Sequence, residues 1–218
     1  MSACRTPLSI SKSAAISTSQ RALDKRARHG LIRYMRRKDH VGTDRLRKAR
    51  LSIPNARYFL TICTRERTPV LDTTKSVEAI RTTLRRSHSE KDLTLHCATV
   101  MPDHCHLLFT LGNRLTLSQT ASKIKRQVRE KLKESKLWQS NFHEHRVRPE
   151  QELEPFAKYI FLNPYRKQLL SCRQNWPGWI RNKNYRPEFT NHLVQGEFPP
   201  AEWVATSINC SQLIEELA

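Results

Sequence analysis

The sequence has no C-x-x-C pair, no apolar stretch long enough to cross a membrane, no apolar signal-peptide core and no internal repeat. Six cysteines stand at 4, 63, 97, 105, 172 and 210 with no paired spacing, which points to a soluble chain in a reducing compartment, expected to be the cytoplasm and nucleoid. Acid is scarce. Asp and Glu number 20 against 39 Lys and Arg, a formal charge of +19 on 218 residues, and a field of that sign attracts polyanions, nucleic acid foremost. The excess is uneven: residues 1–50 carry 14 basic and 3 acidic side chains, the rest 25 and 17. Residues 1–50 therefore read as a basic, disordered arm, with Met35 as an internal start, and the Ser- and Arg-rich composition of residues 1–30 also suits an organellar transit peptide.

Periodicity organises the rest. RYFLTICT, Arg57 to Thr64, is aromatic and β-branched and reads as a first strand. In residues 76–92, Val77, Ile80 and Leu84 recur at helical spacing behind Ser76 as N-cap. LTLHCATVMP and HCHLLFTL, separated by Pro102-Asp103, form a hairpin. From Thr116, the residues Leu117, Ala121, Ile124, Val128 and Leu132 make one apolar stripe, while Lys123, Lys125, Arg126, Arg129, Lys131 and Lys133 cover most of the remainder. WQSNFHEHRVR, Trp138 to Arg148, allows an edge strand, and a third helix carrying Leu153, Phe156, Ala157 and Ile160 ends or kinks at Pro164. Strand, helix, strand, strand, helix, strand, helix suits a ferredoxin-like (RRM-like) α+β plan, an antiparallel sheet with helices on one face and the other face free. The folded domain spans residues 51–170, and residues 171–218 read as an irregular extension.

In VMPDHCHLLFTL, side chains alternate between the sheet faces, so His104 and His106 share one face and Cys105 takes the other. Two imidazoles on one face can chelate one cation. About 50 residues on, KYIFLNP places Tyr159 and Asn163 four apart on a helix, a nucleophile and an oxygen donor on one edge.

MPDHCHLLF, LWQSNFHEHRVR and YIFLNP, in this order and spacing, resemble the REP-associated tyrosine transposases, single-tyrosine members of the HUH nuclease and transposase superfamily. The resemblance covers roughly residues 50–170. It implies a divalent metal, Mg²⁺ or Mn²⁺, on His104 and His106, with Asn163 as third ligand and Tyr159 as nucleophile. The activity it implies is that of a single-strand DNA endonuclease and strand transferase, working through a 5′-phosphotyrosine link near hairpins of short palindromic repeats. The chain departs from the pattern at two points: Asp103 stands where relatives often have Asn, and Tyr165, Arg166, Lys167 and Gln168 follow YIFLNP where relatives have small residues.

Rivals stand beside this reading. His143-Glu144-His145 is a second H-x-H, Tyr165 a second candidate nucleophile, and Tyr58 a core residue. Lys123, Lys125, Arg126, Arg129 and Lys133, with Arg148, are candidate DNA contacts; Trp138 and Phe142 are core anchors or base-stacking platforms. A different class is a non-catalytic binder, either a hairpin-binding relative or an RRM-like RNA reader, although the K/R-G-F/Y-G/A-F signature of the latter is missing. A monomer or homodimer is expected, with no membrane contact.

Overall fold

A computed structural model describes residues 52–205 and 209–216. The basic arm expected over residues 1–50, with its internal start, lies outside them. Five strands form one antiparallel sheet: β1 (Arg57–Cys63), β2 (Leu93–Met101), β3 (His104–Leu111), β4 (His143–Val147) and β5 (Trp179–Arg181), in the order β4-β1-β3-β2-β5. Among the described residues the α-helices are α1 (Thr74–Ser89), α2 (Leu117–Leu132), α3 (Glu154–Arg166), α4 (Ala201–Ala205) and α5 (Cys210–Glu216). Strands β1 to β4 with α1 to α3 follow the expected order of elements, and the fold is the α+β sheet expected from the sequence.

Alternation along the strands sorts the apolar residues into two cores. Tyr58, Leu60, Ile62, Cys105, Leu107 and Phe109 face Val77, Ile80 and Leu84 of α1 and Ala121, Ile124 and Val128 of α2. On the other side, Phe59, Leu108 and Cys97 face Phe156, Ile160 and Phe161 of α3. The expectation of helices on one face only is therefore corrected. Helix α3 is too apolar to remain outside a core, with nine of its residues from Phe156 to Tyr165 buried, and α1 and α2 already occupy the first face. The extension after residue 171 joins this second layer: β5 pairs with β2, and Trp179, Phe189 and Leu213 complete the core around α3.

Local chemistry explains the element ends. The cap of α1 is Thr73 rather than Ser76; the Thr73 side chain accepts from the Ser76 backbone N–H and takes up one orphan donor of the first turn. Helix α2 starts on a full capping box between Thr116 and Gln119. Pro164 does not end α3, which runs on to Arg166, because the N–H lost at Pro164 is only one bond in the last turn and Lys167 N–H still reaches Asn163 O at 3.0 Å. The β2–β3 turn is pinned from outside: Thr64 N–H donates to Asp103 O at 2.9 Å and Leu71 N–H to Pro102 O at 2.8 Å. Among the described residues, no helix is long and apolar enough to cross a membrane.

Gly112 ends β3 where a Cβ would sit 2.2 Å from the Lys91 carbonyl oxygen and 2.7 Å from that of Asp92. Gly112→Ala is expected to destabilise the fold by about 1–3 kcal/mol, measured by urea unfolding. His96, bonded to Thr110 at 2.9 Å and packed on Tyr185, has its pKa pushed down to about 4 by burial first, then by the charges of Arg57 and His88. Its unfolded value is near ~6.5, so stability is full above that value and is lost as pH falls toward 4, because the unfolded chain takes up the proton first. The unfolding temperature of His96→Gln should fall less steeply than wild type over that window.

Candidate active site

The register sets His106 beside Thr61 of β1 and Thr99 of β2, and His104 beside Cys63 and Met101. All lie on the face covered by α3. The two imidazoles converge as alternation requires, with Nε2 to Nε2 at 3.1 Å and ring centroids 4.6 Å apart, and both are buried.

Each ring is held from behind. His104 Nδ1 lies 2.6 Å from Asp103 Oδ1, and a carboxylate only accepts, so Nδ1 carries the proton and Nε2 presents its lone pair. Burial, above all, pushes the His104 pKa down, against the pull of Asp103; burial also pushes His106 well down, helped by the repulsion a second protonated ring would meet beside His104 and by the charges of Arg67 and Lys167. Both rings are therefore neutral near pH 7, while Asp103 stays ionised: its burial penalty is outweighed by the bond to His104 and the nearby charge of Arg67. His106 Nδ1 lies 2.8 Å from the Thr61 hydroxyl, which can donate or accept. If Thr61 donates, His106 turns an Nε2–H toward His104. If Thr61 accepts, two lone pairs meet and a cation must sit between them.

The donor set fits such a cation. Two nitrogens on adjacent positions of one ion, each bonded at about 2.0–2.1 Å, stand roughly 2.9–3.4 Å apart, and the observed 3.1 Å falls in that range. Among the described residues no group of three or more His, Cys, Asp and Glu could hold a metal. A third protein ligand must be of another kind. Asn163, the residue expected in that role, is 3% exposed, and its Oδ1 has no hydrogen-bond partner. An unpaired buried amide oxygen costs about 1–3 kcal/mol, a cost that a bound cation or water would remove.

Tyr159, four residues before Asn163, packs edge-on against His106 with ring centroids 5.5 Å apart, and edge-on against Phe59 at 5.9 Å. Phe59 itself stacks on His106 at 5.3 Å. The phenol expected to be the nucleophile thus adjoins the imidazole pair.

The rivals lie elsewhere. Tyr165 donates its hydroxyl to Gln174 O at 2.9 Å and packs on Phe161, a tie between α3 and the following chain. Tyr58 is core, its hydroxyl accepting from Ile53 N–H. His143 and His145 sit on edge strand β4, His143 exposed and His145 stacked on Phe156 at 5.5 Å. Trp138 and Phe142 are anchors: Trp138 donates to Lys125 O at 3.0 Å, and Phe142 is buried.

Two of the expected DNA contacts are engaged inside the protein. Lys123 is paired with Glu90 and Asp92, and Lys125 donates to the carbonyls of Gln139, Ser140 and Asn141. The charge pattern marked them as a solvated face, but both stems reach sideways to neighbouring segments. Arg126 and Arg129 are exposed and line a groove of about 280 Å³ with Ser135 and Trp138. Lys133, at the α2 C-cap, and Arg148 are also exposed. Sequence reasoning missed Arg67. Its guanidinium Nε lies 2.9 Å from Asp103 Oδ2, and Nη1 donates to Cys63 Sγ at 2.8 Å. Nothing in the local pattern set it apart from other exposed arginines.

Two histidines and a tyrosine thus stand together on one face of a five-stranded antiparallel α+β sheet. The family model described as Transposase IS200 like matches residues 52–162, and the chain belongs to that family. A curated relative from Haemophilus influenzae, named for the REP-associated tyrosine transposases, is 25% identical over 161 residues, covering 67% of this chain and 86% of the relative. A solved structure of a REP-associated tyrosine transposase bound to a REP hairpin superposes with a TM-score of 0.57 at 20% identity, over 73% of this chain and 93% of that one.

Thr61→Val removes the polar partner of His106 Nδ1 with little change of shape. A net cost of about 0.5–1.5 kcal/mol is expected in unfolding experiments. Imidazole ¹⁵N shifts should report a change of tautomer at His106 and none at His104.

Proposed function

We propose that this transposase-family chain is a metal-dependent single-strand DNA endonuclease and strand transferase that uses Tyr159 as its nucleophile. The observation that carries the reading is the packing of the Tyr159 ring on His106, whose Nε2 lies 3.1 Å from that of His104. His104, His106 and Asn163 would hold a divalent ion. Bound there, the ion would offset the phosphate charge, orient the scissile phosphate and stabilise the charge that develops in the transition state. Imidazole donors favour Mn²⁺ over the more oxygen-seeking Mg²⁺.

This chain's residues do the rest. Asp103 holds the His104 tautomer, and Thr61 holds the ring of His106. The phenolic oxygen of Tyr159 gives up its proton and forms a bond to phosphorus, and the bond from phosphorus to the 3′ oxygen breaks. That oxygen leaves as a hydroxyl, while the 5′ phosphate remains on Tyr159 and conserves the bond energy for rejoining to a second hydroxyl. Phe59 and the body of α3 cover the rings and keep bulk water off them.

The substrate would be single-stranded at the reacting phosphate, flanked by a hairpin of the kind bound by the structural relative. Of the candidate contacts, Arg126, Arg129, Lys133 and Arg148 are exposed and would reach it, which would make binding strongly salt-dependent. An RRM-like RNA reader requires an open sheet with exposed aromatics. Here the candidate ring, Phe59, is 2% exposed beneath α3.

Incubation with labelled hairpin-flanked single-stranded DNA and Mn²⁺ tests the reading. Wild type should form an adduct that survives denaturation, and Tyr159→Phe and His104→Ala should form none. Equal gel shifts by all three proteins with no adduct in any would identify a binder instead.

A further inference from the structure

Between β1 and α1 the chain makes a one-turn 3₁₀ helix, Arg65–Arg67, in which Glu66 and Arg67 both have positive φ, 53° and 57°. Neither is glycine, and each left-handed non-glycine residue costs about 1 kcal/mol or more. The turn is nevertheless held closed. The Thr64 hydroxyl lies within hydrogen-bond distance of Thr68 O and Asp103 O, at 2.8 and 2.9 Å, and Thr68 donates to Arg65 O at 2.9 Å.

The turn delivers the Arg67 guanidinium to Asp103, the carboxylate that holds His104. Nε is ion-paired with Asp103 Oδ2, although Oδ2 makes no well-aligned hydrogen bond, and Nη1 is on Cys63 Sγ, beside His104 in the sheet. Nη2 has no partner among the described residues, and the side chain is 35% exposed. Arg67 and Lys167 both act on His104 and His106 by charge. Asp103 is already committed to His104 and Arg67.

We infer that Arg67 is a phosphate-binding residue: anchored on Asp103 and Cys63, its guanidinium turns the unpaired Nη2 edge toward the phosphodiester that lies at the imidazole pair. The inference rests on the single-strand DNA reading above and names the side chain that grips the substrate's charge independently of any metal. A planar fork with one edge fixed and one edge open suits an anionic oxygen better than a mobile ammonium does.

Full-length protein in EDTA, titrated with a fluorescent single-stranded oligonucleotide over a range of salt, provides the test. Arg67→Gln should weaken binding roughly tenfold and lower the slope of log affinity against log salt by about 0.7. Arg67→Lys should restore the slope but only part of the affinity. The pair Arg67→Gln with Asp103→Asn removes the carboxylate that Arg67 would neutralise in a purely structural role. That double variant should regain thermal stability and still bind weakly. Wild-type affinity and salt slope in the double variant, or in Arg67→Gln alone with only its melting temperature lowered, would reduce Arg67 to a structural ion pair. The Tyr159 adduct assay is independent: loss of salt slope without any adduct in wild type would leave the phosphate grip standing and remove the cleavage reading.

Discussion

Two uncharged imidazoles with nitrogens 3.1 Å apart on a buried sheet face form the constraint to which the surrounding structure answers. Burial keeps both rings neutral, and neutrality makes them useful as donors. A buried pair of neutral rings needs fixed tautomers. Asp103 provides this for His104 from the next residue, and Thr61 provides an adjustable partner for His106 across the ladder. The carboxylate then needs its own compensation, which Arg67 supplies at the cost of a strained turn. Each layer is explained by the one inside it.

The net charge of +19 overstates how much cationic surface is available. Lys123 is committed to Glu90 and Asp92, one of whose carboxylates is nearly inaccessible, and Lys125 is committed to three backbone carbonyls at the start of the β4 segment. These contacts fasten α2 to its neighbours. Helix α2 therefore offers a polyanion fewer side chains than a count along it suggests, with Arg126, Arg129 and Lys133 among those left exposed.

The histidine pair was legible because strand alternation forces residues 104 and 106 onto one face regardless of context, and Tyr159 with Asn163 because four residues return a helix to the same side. The β2–β3 turn was legible from Pro102-Asp103, and the α2 start from Thr116. What failed were properties that sequence separation hides. No local pattern told which sheet face α3 would choose; that depends on α1 and α2 having filled the other. Arg67 was invisible because a left-handed turn built on Glu66 and Arg67 carries no glycine or asparagine to announce it. The extension beyond residue 171 was illegible because its apolar residues meet α3 at irregular intervals, without helix or strand period.

That extension completes the site's geometry. Helix α3 carries both the candidate nucleophile and the unpaired Asn163 oxygen, so any error in its placement is an error in the chemistry. The sheet holds one side of it, and the late chain holds the other. At its N-terminal end the Glu154 carboxylate accepts from the Glu188 and Phe189 backbone N–H groups. At its C-terminal end Arg166 donates to Trp203 O, and Lys158 lies 3.7 Å over the Trp203 ring. Phe161 in between packs on Trp179 and Phe189. Tyr159 sits within this clamped span. In-line attack on phosphorus tolerates little misplacement, of order ~1 Å, so a helix tied at both ends is a better mount for a nucleophile than one resting on the sheet alone.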